Sequence, residues 1–137
     1  LMSAPGDVFA TRDVVDRFYA AFLAGDPGGM LDLMSSSVRV RFLGQADLQG
    51  IEAARRFFTF SDGLLSDLEF RIEERIFDGQ WAAVTWTETA SVTSSGEPWE
   101  NHGVDVIRIE HGEVTLVHEN NDVRVVHAHL PRFDPES

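Results

Sequence analysis

The fold is decided by residues 103–122, which read GVDVIRIEHGEVTLVHENND. Two runs that alternate apolar and polar residues flank a Glu-His-Gly segment, a pattern typical of antiparallel β-strands joined by a three-residue loop. With Gly112 in the left-handed position of that loop, Gly103 is predicted to pair with Glu119 on the opposite strand. The segment therefore predicts a β-hairpin whose register follows from its turn.

One face of this hairpin carries acidic and amide groups beside apolar ones. Because side chains two residues apart share a face of a strand, Asp105, Glu119 and Asn121 are expected together on one face. Ile107 and Val117 belong to the same face. Carboxyl groups on an otherwise apolar face indicate either a solvated rim or a chemical site. A slip of one residue would move all of them to the opposite face.

The preceding strand supplies a third acidic residue. A two-residue turn at Ser95-Gly96 would set Glu88 opposite Gly103. Glu88, Gly103 and Glu119 would then form a row across three strands, with a gap at the glycine that could take the edge of a ligand. Like charges this close in a poorly solvated site raise one pKa, which is how proteins prepare an acid and a base together.

The composition bounds the class of protein. The chain has 137 residues, 43% of them hydrophobic, which fits one globular domain. It contains no cysteine, which excludes disulfides, zinc–thiolate sites and a thiol nucleophile. The net charge is −12 and all eleven basic side chains are Arg, so phosphate backbones and anionic membrane surfaces are repelled. We expect no nucleic-acid partner, no membrane partner and a cytoplasmic location.

The chain is predicted to form a single domain over residues 8–130, between a disordered leader at 1–7 and a tail at 131–137. Apolar stripes at helical spacing and alternating runs mark the elements. The predicted elements are helices over 11–24, 27–34 and 51–60 and strands over 38–42, 67–78 and 81–90, followed by the strands of the hairpin.

Helices in the first half and a β-meander in the second are typical of an α+β domain. We predict a cone-shaped, curved antiparallel sheet with three N-terminal helices against one face. The helices and the curved sheet would enclose a pocket between them.

Residues 8–125 resemble a known superfamily. The resemblance rests on the order of the elements, on FYAAFLAGD at residues 18–26 and on GVDVIRIEHGEV at residues 103–114. The chain resembles the nuclear transport factor two-like superfamily, which has a cystatin-like fold. Within it, the chain is most similar to the SnoaL-like branch, which contains polyketide cyclases and is related to ketosteroid isomerase and limonene epoxide hydrolase. This fold hosts many chemistries as well as non-catalytic binders.

The resemblance implies three acids as catalytic residues. Asp105 matches the protonated Asp in the oxyanion hole of ketosteroid isomerase and would donate to a developing enolate. Glu119 matches the acid of the cyclase-type hairpin and would act as the base, with Glu88 as the second acid. In limonene epoxide hydrolase the positions of Glu88 and Glu119 activate water, although Trp86 stands where that enzyme has Arg. The structural alternative for each acid is a carboxylate bonded to its neighbours or solvated at a rim.

Five further residues are candidates for substrate binding. Asn101 and Asn121 are expected to bond a substrate carbonyl or a water, with a strand-end cap as the alternative. Tyr19 lies one residue from the position of the isomerase's oxyanion Tyr, and its alternative is a core aromatic with a bonded hydroxyl. Trp86 and Phe57 are core residues by default that can also wall an apolar ligand.

Histidines and metal ions play no part in this hypothesis. His102 and His118 are expected on the outer sheet face, the usual dimer interface of the superfamily. His127 and His129 alternate near the chain end without nearby acids, a pattern that seldom makes a metal site. We expect no metal and no other cofactor.

The sequence thus indicates a homodimeric enzyme that performs cofactor-independent acid–base chemistry, of cyclase or isomerase type, on a small, apolar, oxygenated, polyketide-like molecule. Two alternatives stay open: an epoxide hydrolase of the limonene epoxide hydrolase type, and a ligand-binding or dimerisation domain without turnover. Two pocket acids needed for turnover but not for folding would support an enzyme. A pocket filled by Phe and Trp side chains would favour the binding domain.

Overall fold

The computed structural model describes residues 7–135, and in this part of the chain no helix is long and apolar enough to cross a membrane. The elements in chain order are α1 (Val8–Leu23), α2 (Pro27–Asp32), β1 (Met34–Phe42), β2 (Ala46–Gln49), α3 (Ile51–Ser61), β3 (Leu65–Asp78), β4 (Trp81–Val92), β5 (Pro98–Glu110), β6 (Glu113–Asn121) and α4 (Val123–His129). The predicted α+β class is confirmed, with a curved, unclosed sheet and a fourth helix that was not expected. The predicted leader lies, apart from Asp7, outside the described residues.

The first helix begins three residues earlier than predicted. Asp7 caps α1, since its side chain accepts from the backbone N–H groups of Phe9 and Ala10. Thr11, the first residue of the predicted helix, is instead buried inside α1. Its hydroxyl donates to the backbone oxygen of Gly79 at 2.7 Å, which ties α1 to the turn between β3 and β4.

The six strands form one sheet in the order β2-β1-β6-β5-β4-β3. Strands β3 to β6 form the predicted antiparallel meander, whereas β1 runs parallel to β6. The parallel pairing brings Phe42 at the end of β1 beside Glu119 on β6. A chain segment from the helical half therefore borders the acidic face predicted from the hairpin.

The turn between β5 and β6 has two residues rather than the predicted three. Glu110 pairs with Glu113, and the intervening His111 and Gly112 have φ of 51° and 77°. Positive φ at both turn residues is the geometry of the tightest hairpins. The shorter turn shifts the pairing of the two strands by one residue, and a bulge near Thr115 shifts it by one more. The register of the hairpin therefore differs from the predicted one by two residues.

These corrections change the partners across the sheet but not the faces. Asp105 lies directly opposite Glu119. Glu88 lies opposite Asn101 and not opposite Gly103, because the β4–β5 connection is longer than a two-residue turn. The predicted row of Glu88, Gly103 and Glu119 is wrong. Both displacements equal two residues, so the period-two alternation of side chains keeps the same residues on the inner face.

The core between the helices and the inner sheet face is rich in aromatic side chains. Phe57 on α3 is 1% exposed, and its ring centroid lies 4.7 Å from that of Phe42 and 5.3 Å from that of Phe133. The contact with Phe133 holds part of the predicted tail against the domain. Phe57 therefore joins α3, the sheet and the C-terminal segment.

Phe57→Ala is expected to lower the free energy of unfolding by about 3–5 kcal/mol, the usual cost of emptying a core Phe site. Chemical denaturation monitored by tryptophan fluorescence measures the change. Phe9→Ala is the matched control, since Phe9 on α1 is 79% exposed and its removal should change the stability by less than about 0.5 kcal/mol. Equal effects of the two substitutions would contradict this account of the core.

The fourth helix closes the domain next to β5. Asp122 caps α4 by accepting from the backbone N–H of Arg124 at 3.1 Å. Val126 on α4 is buried in a small cluster with Val92 and Trp99. The helix therefore covers the end of the sheet that carries Glu88 and Asn101.

Candidate active site

A cavity of about 390 Å³ lies between the helices and the inner face of the sheet. Nine aromatic side chains line it, namely Phe18, Tyr19, Phe22, Phe42, Phe57, Phe58, Phe70, Trp86 and Trp99. We call these nine side chains the aromatic lining. Polar groups come from the strands, and the three acids Glu88, Asp105 and Glu119 lie among them. The cavity thus combines an apolar wall with a few convergent polar groups, as small-molecule sites do.

Asp105 sits at the centre of the polar part and is 8% exposed. The Tyr19 hydroxyl on α1 donates to its Oδ2 at 2.5 Å. The Trp86 indole N–H on β4 donates to its Oδ1 at 2.9 Å. Both carboxyl oxygens are therefore engaged by donors, which favours the ionised form of Asp105.

Glu119 faces Asp105 from the neighbouring strand and has a different environment. Its Oε1 accepts a hydrogen bond from the side-chain amide of Asn121, which also donates to the backbone oxygen of Leu43 at 3.1 Å. No tyrosine or tryptophan donates to Glu119 within residues 7–135, and part of its surface opens into the cavity. Of the two facing acids, Glu119 is the one with a free oxygen for a ligand.

Burial and mutual repulsion set the protonation of this pair. Burial raises the pKa of Glu119 to about 8, and the negative charge of Asp105 adds to the rise. Burial also raises the pKa of Asp105, to about 6, against the lowering effect of the hydrogen bonds from Tyr19 and Trp86. At neutral pH the pair therefore holds one proton, and the hydrogen bonds place that proton on Glu119.

The third acid has its own donor. The Trp99 indole N–H donates to Oε2 of Glu88 at 2.7 Å, while burial raises the pKa of Glu88. Its strand neighbour Asn101 is 4% exposed, and the oxygen of the Asn101 amide accepts from the backbone N–H groups of His102 and Asp122. Asn101 therefore caps the strand end, as its structural alternative predicted, and also lines the cavity.

All eight residues proposed from the sequence line this one cavity. They are Glu119, Asp105, Glu88, Asn121, Asn101, Trp86, Tyr19 and Phe57. The gap expected at Gly103 is absent, because a Cβ built on Gly103 would lie 2.6 Å from a ring carbon of Trp86. The Trp86 indole fills that space, and its N–H donates to Asp105 from there. Their catalytic and binding roles stay predictions.

Sequence reasoning missed the contribution of α4 to the cavity. Val126 and Leu130 come from α4 and close one side, where no helix was predicted. The signal was present in Asp122, a preferred N-cap residue, followed by apolar residues at helical spacing. Trp99 was not among the predicted site residues, since its hydrogen bond to Glu88 depends on the observed strand register.

The histidines lie outside the cavity. His102 is exposed and pairs with Thr87 on the outer sheet face, and His118 is half-buried on the same face, as predicted. Nδ1 of His129 lies 3.6 Å from an oxygen of Glu97, so this histidine does have an acid nearby, contrary to the prediction. Across residues 7–135, no three His, Asp or Glu side chains form a group suited to a metal ion.

Trp86→Phe tests the hydrogen bond on which the protonation of Asp105 depends. The phenyl ring keeps the stacking position 5.4 Å from Phe70 but removes the N–H donor, so the pKa of Asp105 should rise. We expect a loss of about 1.5–3 kcal/mol in stability at neutral pH, the usual value of a hydrogen bond to a charged group. Carboxyl titration by carbon-detected NMR measures the pKa.

Trp99→Phe is the matched control for this substitution. It removes the corresponding donor from Glu88, so it should raise the pKa of Glu88 and leave that of Asp105 in place. If Trp86→Phe left the Asp105 titration unchanged, the indole N–H would not stabilise that carboxylate.

Comparisons with known proteins agree with this architecture. Residues 15–117 match the family model of the SnoaL-like domain. An NTF2-like protein of unknown function from Burkholderia pseudomallei superposes with a TM-score of 0.79 at 19% identity, covering 88% of this chain and 97% of that chain. A search of the curated proteins returns no match.

Two further solved structures carry names that refer to chemistry. A protein from Jannaschia sp. CCS1 assigned to the SnoaL-like polyketide cyclases has a TM-score of 0.79 at 18% identity, over 95% of this chain and 96% of that one. An LEH-like epoxide hydrolase from M. tuberculosis has a TM-score of 0.73 at 15% identity, over 90% and 91%. At these identities the structures share the fold alone.

Proposed function

Because the chain belongs to the SnoaL-like domain family, we propose that it is an enzyme performing cofactor-independent acid–base chemistry in the cavity described above. The observation that carries the proposal is the direct pairing of Asp105 with Glu119 inside an apolar cavity. Burial and the facing carboxylate raise the pKa of Glu119 to about 8, so this carboxyl can give up and take back a proton close to neutral pH. The substrate is a small, apolar, oxygenated molecule of polyketide type, and the reaction is a cyclisation or an isomerisation.

Glu119 is the proton-transfer group in this mechanism. Its carboxylate removes a proton from a carbon next to a substrate carbonyl, so that the C–H bond breaks and an enolate forms. In a cyclisation the enolate carbon then attacks a second carbonyl, whose oxygen takes the proton from Glu119. In an isomerisation the Glu119 acid returns the proton to another carbon of the enolate. Each course returns the proton and needs no further reactant.

The hydrogen bonds give Asp105 a role other than the enolate donor inferred from the resemblance. Both of its oxygens accept from the protein, so an ionised Asp105 has no hydrogen to offer. Its charge instead raises the proton affinity of Glu119. The groups left to stabilise the enolate oxygen are Glu88, when protonated, and the side-chain amides of Asn101 and Gln45, all of which line the cavity.

The test follows the exchange of α-hydrogens of 2-tetralone for deuterium in D2O by NMR. Wild type should accelerate the exchange, increasingly as the pH rises through about 8, where Glu119 ionises. Glu119→Gln should lower this rate by about 10²–10⁴-fold, the usual contribution of a positioned base. Glu74→Gln, which removes an exposed acid on β3, should not change it.

A folded Glu119→Gln variant with unchanged exchange would contradict the proposal. If no ketone in a panel of polyketide-like compounds exchanges faster with the wild type than without protein, the binding-domain alternative takes its place.

Epoxide hydrolysis is the second candidate, and Asn121 is the observation that favours it. The Asn121 amide donates to Glu119, while its oxygen is buried and has no hydrogen-bond partner within residues 7–135. Glu119 and this oxygen together can hold a water. The water oxygen attacks an epoxide carbon while its proton passes to the ionised Glu119 carboxylate, and the C–O bond breaks as Glu88 protonates the oxygen that leaves. Incorporation of ¹⁸O from labelled water into the diol formed from styrene oxide would distinguish this reaction from the exchange of ketone hydrogens.

We also propose a homodimer through the outer sheet face. That face carries His102 and Val104, both exposed, and half-buried His118. Light scattering after size exclusion should give twice the mass of 15.3 kDa. Val104→Glu should shift the population to the monomer, and a monomeric wild type would contradict the proposal.

A further inference from the structure

The cavity has acids on its wall but no basic side chain. Its lining includes five acids and, within the described chain, no Arg, Lys or His. Asp26 and Asp62 are exposed at the rim, whereas Glu88, Asp105 and Glu119 lie inside. A cleft of one sign of charge concentrates ligands of the opposite sign and repels anions.

The hydrogen-bond donors inside the cavity are largely used by the protein. The Tyr19 hydroxyl and the Trp86 indole donate to Asp105, the Trp99 indole donates to Glu88, and the Asn121 amide donates to Glu119. The donors left for a ligand are the side-chain amides of Asn101 and Gln45, together with any protonated acid.

One acceptor and one donor of the lining residues are left without a protein partner. Oδ1 of Asn121 and Nε2 of Gln45 are buried and have no hydrogen-bond partner among residues 7–135. An unpaired buried oxygen of this kind costs about 1–3 kcal/mol. A ligand that brings N–H donors would satisfy it together with the free oxygen of Glu119.

The aromatic lining completes an environment suited to a cation. The faces of Phe, Tyr and Trp rings carry negative electrostatic potential and attract ammonium groups. The stacked pair of Phe70 and Trp86, with ring centroids 5.4 Å apart, lies directly beside Asp105, to which the indole is bonded. Acids and aromatic faces therefore meet at the same place.

We propose that the ligand of this cavity carries a protonated amine on an apolar body. The ammonium group would lie between Glu119, the oxygen of Asn121 and the aromatic lining, and the apolar part would fill the remaining space. This inference rests on the proposed function, since it names the substrate class of the same site. It adds a positive charge to a substrate otherwise described only as apolar and oxygenated.

A cation at this position also supplies the positive charge that the pair of Asp105 and Glu119 lacks. The pKa of Glu119 is raised by burial and by the charge of Asp105, and no basic group in the lining offsets either effect. A bound ammonium would stabilise the ionised carboxylate and lower that pKa. The base would then form when the substrate binds.

The test compares 2-phenylethylamine, which is protonated at neutral pH, with 2-phenylethanol, which has nearly the same shape and no charge. Titration calorimetry, supported by tryptophan fluorescence, gives both dissociation constants. We expect the amine to bind at least about tenfold more tightly, the scale of a desolvated cation–π contact with a charge partner. Equal or tighter binding of the alcohol, or no measurable binding of the amine, would overturn the proposal.

Two variants locate the preference in the cavity. Glu88→Gln keeps an acceptor for Trp99 but removes one of the three inner carboxyl groups, so amine binding should weaken by about three- to tenfold while alcohol binding stays within about twofold. Glu74→Gln removes an acid that is exposed on β3 and outside the lining, and it should change neither constant. An effect of Glu74→Gln as large as that of Glu88→Gln would show that only net charge matters, and would overturn the assignment to this cavity.

The experiment separates this inference from the acid–base proposal. Binding of the two probes requires no turnover, so a preference for the amine can hold even if ketone exchange is absent. Conversely, exchange that depends on Glu119, together with a preference for the neutral alcohol, would uphold the enzyme and reject the amine.

Discussion

Glu119→Gln is expected to raise the unfolding temperature at pH 9 by about 6 °C and to leave it nearly unchanged at pH 4, on the basis of roughly 2 kcal/mol and the usual relation for a domain of this size. The unfolding temperature rises because Gln is uncharged. Burying it beside Asp105 therefore does not require the desolvation of a carboxylate. The Asn121 amide keeps an acceptor in the Gln side-chain oxygen.

The sign follows from the direction of the pKa shift. The pKa of Glu119 is about 8 in the folded chain, against the ordinary value of 4.5 for an exposed Glu. Below pH 4.5 both states hold the proton, so the group contributes nothing. Between these values the unfolded chain ionises while the folded chain stays protonated, and stability falls as the pH rises. Above pH 8 the loss of stability is complete.

Glu52→Gln provides the control, because the Glu52 side chain on α3 is 73% exposed. It should give the same small change at pH 4 and at pH 9. Thermal unfolding by circular dichroism across this range measures both variants. If Glu119→Gln destabilised the protein at pH 9, or shifted the midpoint equally at both pH values, the buried carboxyl would not be held in its protonated form.

Gly103→Ala is expected to cost more than about 3 kcal/mol and to release Trp86 from Asp105, since large losses accompany strain that the backbone cannot relieve. A Cβ at Gly103 would lie 2.0 Å from the backbone oxygen of Asn120 and 2.6 Å from a ring carbon of Trp86. The first contact involves the paired strand β6, which cannot withdraw without breaking the ladder. The indole would have to leave its position, and the pKa of Asp105 would rise.

Gly28→Ala on α2 is the matched control. Its Cβ would meet only an oxygen of Asp26, at 3.5 Å, and helix propensity favours Ala over Gly by about 1 kcal/mol. Denaturation curves and the carboxyl NMR titration measure both variants. A Gly103→Ala protein with wild-type stability would show that the indole does not pack across the glycine.

The residues on the inner face of the sheet could be predicted from the sequence, because side chains alternate between the two faces along each strand. Asp105, Glu119 and Asn121 are separated by even numbers of residues along their strands or across the turn. Displacements of two residues at both turns left them on the same face. Turn length and the bulge near Thr115 determine the partner of each residue, and these depend on packing over the whole hairpin.

The helical half was predicted less completely, for a reason that α1 and α4 illustrate. Helix ends depend on caps, and neither Asp7 nor Asp122 was interpreted as one from the sequence. The parallel pairing of β1 with β6 is a contact between distant segments. No local pattern in residues 34–42 indicates it.

By itself the sequence determined the α+β class, the acidic inner face and eight of the side chains that line the cavity, because hydrophobic periodicity is a local property of each strand and helix. Only the tertiary structure decided that Asp105 meets Glu119, that Tyr19 and Trp86 donate to Asp105, and that Gly103 makes room for an indole rather than a ligand. Each of these depends on the distance between atoms from separate elements. Such distances are fixed when the helices pack on the sheet and the strands settle into register.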